Sequence, residues 1–284
     1  MPRQNGTKGR EEKRMSKTRQ IYYAKTLNEI FYQKKSVKDI QLIGGCTQDK
    51  KMPEISLCVR NIRELNYSIK HERFFEFGPE ITLSQILEID PSKLPSVFFE
   101  AVKSIANRNI RNIATLAGNI CAKNYRHTLF APLTALDARL ELKSETETVY
   151  LPMTKFTEIP EKFVLSKVIL PLDDWEVAVF KRLGPAHLIT ENSASFVFLA
   201  NTLKNQISNL KIAFAGPFSI RSLELENRLL GAYLPLSENT ILEFEEAAAK
   251  LYDETYETCQ DKKVPAILRS QFLNLVKYSL EQLT

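Results

Sequence analysis

The 284-residue chain has no cysteine pair at CxxC spacing, no histidine at metal-ligand spacing from a cysteine, and no apolar run of membrane-spanning length. Cys46, Cys58, Cys121 and Cys259 lie scattered along it. An iron–sulfur cluster held by the chain itself would need clustered thiolates, and a zinc site would need paired ligands, so both are excluded. Free thiols in a reducing compartment are the expected state. The N-terminal segment has no apolar centre of the kind a secretory leader needs, so the expected localisation is cytoplasmic, with no membrane insertion. An excess of basic charge outside the first twenty residues is also missing. Arg3, Lys8, Arg10, Lys13, Arg14, Lys17 and Arg19 against Glu11 and Glu12 account for the whole net charge of +5, and the remainder balances. A nucleic-acid-binding surface is thereby excluded. Residues 1–20 read as a basic, disordered tail. Internal repeats and low-complexity tracts are absent too.

Two glycine-bearing stretches stand out from the rest. The first is Ile43-Gly44-Gly45-Cys46-Thr47-Gln48, and the second runs from Ile110 to Asn119, Ile-Arg-Asn-Ile-Ala-Thr-Leu-Ala-Gly-Asn. In both, glycine and small residues interrupt an apolar run, which lets backbone approach a ligand closely or adopt positive φ. Thr47, Thr115 and Asn119 place hydrogen-bonding side chains beside that backbone. The combination suits a phosphate-bearing ligand, with the amides of residues 44–48 forming an anion nest.

The remaining elements arrange themselves around these two. Ile21 to Lys35, with the capping box Thr26-Leu27-Asn28-Glu29, reads as the first helix, and Ile40 to Ile43 and Ile55 to Val59 are short strands. Tyr67 to Phe77 reads as a hairpin, and Thr82-Leu83-Ser84-Gln85 as a second capping box. Leu94 to Ala106 presents Val97, Phe98, Val102 and Ile105 on one helical face. Leu129 to Ala138 is predicted helical, followed by strands at Arg139 to Leu142, Thr148 to Leu151 and Phe163 to Leu170. A polar break at Pro171-Leu172-Asp173-Asp174 marks a domain boundary. Beyond it the pattern predicts a strand over Glu176 to Leu183, a helix over Ser193 to Leu203 and a strand over Leu210 to Ala215. Three helices follow, at Ser222 to Leu230, Thr240 to Tyr256 and Ala266 to Leu283.

In this order the stretches resemble the FAD-binding subunit or domain of the molybdenum hydroxylases, the family of xanthine dehydrogenase and aerobic carbon monoxide dehydrogenase. The likeness covers roughly residues 21–284. A Gly-Gly-Thr-like loop cradles the FAD pyrophosphate in that family, and Gly44 to Gln48 take its place. The family motif Ile-Arg-Asn-x-Ala-Thr-x-Gly-Gly-Asn matches Ile110 to Asn119, with Ala117 where its first glycine stands. Ala135-Leu136-Asp137-Ala138, Phe180-Lys181-Arg182, Ile212 to Gly216, Arg221 with Glu226, and Leu229-Leu230-Gly231 also fit.

The resemblance implies an α+β fold: a two-lobed FAD-binding α/β domain of the PCMH type over residues 21–173, with lobes of about 21–65 and 66–173. A smaller domain of antiparallel sheet plus helical bundle follows over 174–284. It implies FAD as cofactor and an oxidoreductase subunit passing electrons from iron–sulfur clusters through FAD to an acceptor such as NAD. An iron–sulfur subunit and a molybdenum-cofactor subunit would be its partners. The cofactor-binding residues so implied are Ile43, Gly44, Gly45, Cys46, Thr47, Gln48, Ile105, Thr115, Leu116, Ala117, Gly118, Asn119, Thr128, Leu165 and Lys181. No catalytic or metal-ligating residue is expected. Thr128 stands where the family commonly has an aspartate, so a small neutral group replaces a carboxylate that accepts from cofactor hydroxyls.

Each feature alone has a plainer reading. A Gly-Gly pair is usually a turn, Asn119 could cap one, Lys181 could be a solvated strand residue, and Ile105 and Leu165 could be core. A subunit of the same fold without flavin, suggested by Ala117 and Thr128, stays open. So does a stand-alone FAD reductase of the wider fold resembling the enolpyruvyl-sugar reductases, although the C-terminal likeness argues against it.

Overall fold

The computed structural model describes residues 19–48, 51–122, 124–185, 187–259 and 264–283. The expected basic tail therefore lies outside the described residues except for Arg19 and Gln20. Three layers of structure follow one another along the chain. The first is a small lobe in which β1 (Gln20–Tyr23), β2 (Gln41–Ile43) and β3 (Ile55–Cys58) form a parallel sheet of order β1-β3-β2. Helix α1 (Leu27–Ser36) makes the crossover, so the first helix begins at Leu27 and not at the expected Ile21, which lies in strand β1. Thr26 caps it by accepting from Glu29 N, and the Glu29 carboxylate accepts from Lys25 N at 2.7 Å, so the box closes one residue earlier than expected. Ala24, Ile30, Leu57, Val59, Ile62 and Leu65 form this lobe's core, joined by Val164 alone from elsewhere among the buried residues.

The second lobe carries an antiparallel sheet of order β4-β5-β8-β6-β7, from β4 (Ser68–Lys70), β5 (Phe74–Phe77), β6 (Arg139–Lys143), β7 (Thr148–Pro152) and β8 (Val164–Pro171). Between β5 and β6 lie α2 (Leu83–Leu87), α3 (Ser96–Ser104), α4 (Arg108–Arg111), α5 (Leu116–Ile120) and α6 (Phe130–Ala135). The capping box at Thr82 and Gln85 forms as expected and starts α2. Val97, Phe98, Ala101 and Val102 of α3 face the core, the stripe that the sequence spacing requires.

Strands β9 (Val177–Leu183), β10 (Ala194–Leu203), β11 (Gln206–Ala215) and β12 (Ser219–Ile220) then form an antiparallel sheet of order β12-β11-β10-β9. The expected helix over Ser193 to Leu203 is corrected to strand β10. Both its faces are buried: Val197 and Leu199 join the core of α3 and α6, while Phe196, Phe198 and Ala200 face α8 (Glu238–Thr258) and α9 (Ala266–Glu281). A strand covered on both sides shows an unbroken apolar run, and periodicity alone cannot separate that from a buried helix. Phe214, Phe218, Tyr252 and Phe272 stack edge-to-face or tilted on the helical side. The short α7 (Leu223–Asn227) leads into α8. The chain thus changes sheet near residue 173, but α6 and the new sheet share one core.

Candidate functional site

The two glycine stretches meet. A β-carbon on Gly45 would lie 1.7 Å from the carbonyl oxygen of Ile113, so glycine is required there because two segments of backbone touch. The close approach at Gly45 is thus made by the chain's own backbone. Gln48 Nε2 completes the junction by donating to Gly118 O at 2.7 Å. Positive φ falls on Cys46, at 52°, and not on either glycine of the pair. A left-handed residue next to ordinary ones curls successive amides inward, which is the geometry of an anion nest. Among the described residues, the backbone N–H groups of Gly44, Gly45, Cys46, Thr47 and Gln48 have no protein acceptor. Cys46 is exposed and the other four residues are half-buried, so an outside acceptor can reach these donors.

The second stretch is built differently. Thr115 Oγ1 accepts from Gly118 N at 3.0 Å as the cap of α5. Leu116 N donates to Ile81 O and Ala117 N to Pro79 O. Asn119 Oδ1 accepts from Leu129 N at 3.1 Å, fixing the turn that carries His127 and Thr128. This stretch therefore commits its amides to the fold and presents side chains and shape instead. Arg111, in the same motif, donates from Nη1 to Ile105 O at 2.9 Å and Ala106 O at 2.7 Å, clamping the end of α3. Ser84 Oγ donates to Asn112 Oδ1 at 2.6 Å.

A cleft opens on either side of the junction, and Thr47, Gln48, Thr115 and Gly118 line both. One, of about 360 Å³, is walled by Ile105, Ala106, Ile110, Asn119, Thr128, Arg182 and the segment His187, Leu188, Ile189. The other, of about 530 Å³, runs along Ile43, Gly44, Gly45, Cys46, Lys51, Met52 and Ala122. The His187 to Ile189 segment belongs to a loop that begins at Gly184, whose φ of +85° suits glycine. Arg126 Nε ties this loop down through Glu191 O at 3.4 Å.

Most of the expected site residues gather here, and four do not line either cleft. Leu116 and Leu165 are buried in the core, and Ala117 packs against it. Leu165 pairs with Leu142 across β6 and β8. Lys181 lies on the far side of β9, its Nζ 5.6 Å from the ring centroid of Tyr278 in α9. Strand alternation explains the exchange: Lys181 pairs with Phe196, which faces the helices, whereas Arg182 pairs with Ser195 on the adjacent register and turns into the cleft. Arg182 donates to Ser104 O at 2.9 Å and Pro185 O at 3.0 Å, and burial lowers its pKa. Arg182, Lys51 and the His187 to Ile189 loop were missed in the sequence. Only the phase of β9 relative to β10 could have singled out Arg182, and β10 is apolar on both faces.

One further group sits at the junction. Glu80 is only 6% exposed as a residue, and a β-carbon on Gly44 would meet its Oε1 at 3.0 Å and Oε2 at 3.2 Å. Burial pushes its pKa up to about 7, with Arg60 acting in the opposite sense. Burial, with the Glu80 charge adding to it, pushes the Cys121 thiol up to about 12, so that cysteine is inert.

A loop of open amides between two clefts suits a phosphate-bearing ligand. Residues 15–173 match the model of the FAD binding domain in molybdopterin dehydrogenase, and the chain belongs to that family. Its cofactor is FAD. The glyceraldehyde dehydrogenase medium chain of Sulfolobus acidocaldarius is 26% identical over 195 residues, 64% of this chain and 68% of that one. The xanthine dehydrogenase FAD-binding subunit of Escherichia coli O157:H7 is 29% identical over 199 residues, 63% of this chain and 65% of that one. The chain spans only 12% and 18% of the xanthine dehydrogenases of Blastobotrys adeninivorans and Emericella nidulans. Carbon monoxide dehydrogenase from Hydrogenophaga pseudoflava shares the fold, with a TM-score of 0.79 at 17% identity, covering 93% of this chain and 96% of that one. Among the described residues, no helix is long and apolar enough to cross a membrane.

Proposed function

We propose that the chain is the flavin component of a multi-subunit molybdenum hydroxylase resembling xanthine dehydrogenase. The observation that carries this reading is the run of unpaired backbone N–H groups from Gly44 to Gln48, held between two slots by contact with the second glycine stretch. When bound there, FAD supplies electron transfer from an iron–sulfur partner to an acceptor such as NAD. The chain supplies binding, orientation and electrostatics. The amides of residues 44–48 hold the pyrophosphate, with the Thr47 hydroxyl beside them. Asn119 and Thr128 offer neutral hydrogen-bonding groups to the cofactor's hydroxyls, and Ile105, Ile110, Leu188 and Ile189 wall the slot that takes the flavin ring. Arg182 is the cation on that slot and favours an electron-rich ring. In this reading residues 21–173 bind the cofactor, and 174–284 close the flavin slot through β9 and the loop after it.

Among the described residues no group of three or more His, Cys, Asp and Glu is placed to hold a metal ion, and the four cysteines are free thiols. The electron source in this reading is an iron–sulfur subunit and a molybdenum-cofactor subunit, as the family resemblance implies. Purification of the chain and its visible spectrum test the cofactor reading: flavin bands released as FAD on denaturation are expected. A colourless protein that added FAD does not reconstitute would overturn it. Purification from the native source should bring both partner subunits with the chain, and a lone chain that turns over substrate would refute the assignment.

A further inference from the structure

Glu80 has no role in the reading above, and its surroundings demand one. It follows β5 in the segment leading to α2, and its backbone N–H donates to Leu65 O at 2.8 Å, which holds the residue at the seam between the lobes. The residue as a whole is 6% exposed, and among the described residues no hydrogen bond or ion pair is made by either carboxyl oxygen. It projects against Gly44, the first residue of the nest, and also faces a polar cleft of about 290 Å³ that Arg60, Asn66, Glu88 and Asn112 line.

The charged and titratable groups around it come from three sides. Arg60, on the segment after β3, is the cation that acts on it, and Cys121, at the end of α5, is a thiol kept neutral by burial. Glu88, at the end of α2, adds a second carboxyl to the same cleft. Arg60 does not come within ion-pair distance, so it offsets the carboxylate only in part. The nest that Glu80 adjoins must receive a pyrophosphate carrying two negative charges. Like charges crowded in a poorly solvated site do not ionise together. The pyrophosphate keeps its charge throughout the neutral pH range, so the side chain is the group that yields.

We propose that FAD seats in this chain only when the Glu80 carboxyl carries a proton, so that loading the cofactor takes up a proton and Glu80 sets the pH range in which loading occurs. The inference rests on the functional reading given above. A carboxyl burdened by burial already titrates near neutrality in the empty protein, which places the effect where it can be measured. In the neutral form, the Glu80 O–H becomes a donor in a region rich in acceptors, and the conflict with the phosphates disappears.

The test is FAD titration into the flavin-free full chain between pH 6 and pH 8.5, by calorimetry in two buffers of different ionisation enthalpy, beside Glu80→Gln. For the wild type, the dissociation constant should rise by roughly tenfold to thirtyfold over that range, with uptake approaching one proton per FAD at the upper end. Glu80→Gln, isosteric and permanently neutral, should bind like the wild type at pH 6 and keep that affinity at pH 8.5 with no proton uptake. Circular dichroism at pH 6 checks that the variant is folded. His127 and His187 also line the flavin slot. If the pH dependence survives in Glu80→Gln, the histidines are responsible and the proposal is overturned. A pH-independent wild type without proton uptake overturns it without any variant. Failure of FAD to bind at every pH would instead remove the functional reading on which it rests.

Discussion

Replacing Gly45 by alanine should cost the fold about 2 kcal/mol, whereas the same change at Gly44 should cost almost nothing. The β-carbon added by Gly45→Ala would fall 1.7 Å from the Ile113 carbonyl oxygen and 2.7 Å from its carbon, both backbone atoms that cannot swing aside. Relief requires the loop to back away, and overpacking of this kind typically costs about 1–3 kcal/mol. Withdrawal also strains the bond from Gln48 Nε2 to Gly118 O, which contributes roughly 0.5–1.5 kcal/mol. Against this, alanine restricts the unfolded chain and returns about 0.4–1 kcal/mol. At Gly44 the β-carbon meets only the Glu80 carboxylate, at 3.0 Å and 3.2 Å, the movable end of a side chain. Neither glycine has positive φ, so backbone strain does not enter. Urea unfolding at pH 6 should show a lower midpoint with an unchanged slope for Gly45→Ala and a midpoint near wild type for Gly44→Ala. Equal midpoints would refute the argument that Gly45 is a point of backbone contact. FAD titration of the same pair should show the larger loss at Gly45 as well, because the nest moves with the loop.

Arg111→Ala should destabilise by about 2–4 kcal/mol, since it strips donors from the carbonyls of Ile105 and Ala106, and lysine should rescue poorly for want of a planar fork; thermal melts check both. Arg182→Gln should shift the bound flavin's reduction potential downward while Lys181→Gln leaves it within error, and redox titration of the loaded protein would reject the strand-phase assignment if the two behaved alike. Thr128→Asp should tighten FAD binding about five- to thirtyfold, the equivalent of about 1–2 kcal/mol, by restoring a charged acceptor; equal or weaker binding in a fluorescence titration would mean that Thr128 does not face the cofactor hydroxyls. Glu80 also governs the empty protein. Its carboxyl pKa is about 7 in the fold against the ordinary 4.5, so the native state holds a proton that the unfolded chain has lost. Its effect on stability is nil below the unfolded value and grows more unfavourable as pH rises from about 4.5 to 7. Beyond that it levels at about 3 kcal/mol. Glu80→Gln should therefore match wild type in urea at pH 4.5 and exceed it at pH 8, and parallel pH profiles would contradict this.

Much of the architecture was legible in the sequence because its signals were local. The caps at Thr26 and Thr82, the apolar stripe of α3 and the hairpin of β4 and β5 each rest on residues close in the chain. The order of motifs then pointed to the family. What stayed hidden depends on partners distant in sequence. Strand β10 looks helical until α3 and α6 on one side and α8 and α9 on the other are known to cover it. Lys181 and Arg182 are adjacent cations, and only pairing with Phe196 and Ser195 decides which enters the cleft. Gly45 carries no mark that its neighbour is Ile113, and Glu80 resembles any other acid before a helix until its burial against Gly44 is seen.

The slight core of the first lobe has a consequence for proteolysis. Seven buried side chains, Ala24, Ile30, Leu57, Val59, Ile62, Leu65 and Val164, hold residues 20–65 together, while the aromatic cluster beneath α8 and α9 holds the C-terminal sheet far more heavily. Regions with little buried apolar surface open first, and a protease acts on what opens. A ligand gripped between the lobes resists that opening by mass action, by about 2.7 kcal/mol at a hundredfold excess over its dissociation constant. On the proposed function, limited proteolysis should cut the flavin-free chain first within residues 20–65, and added FAD should slow that cut.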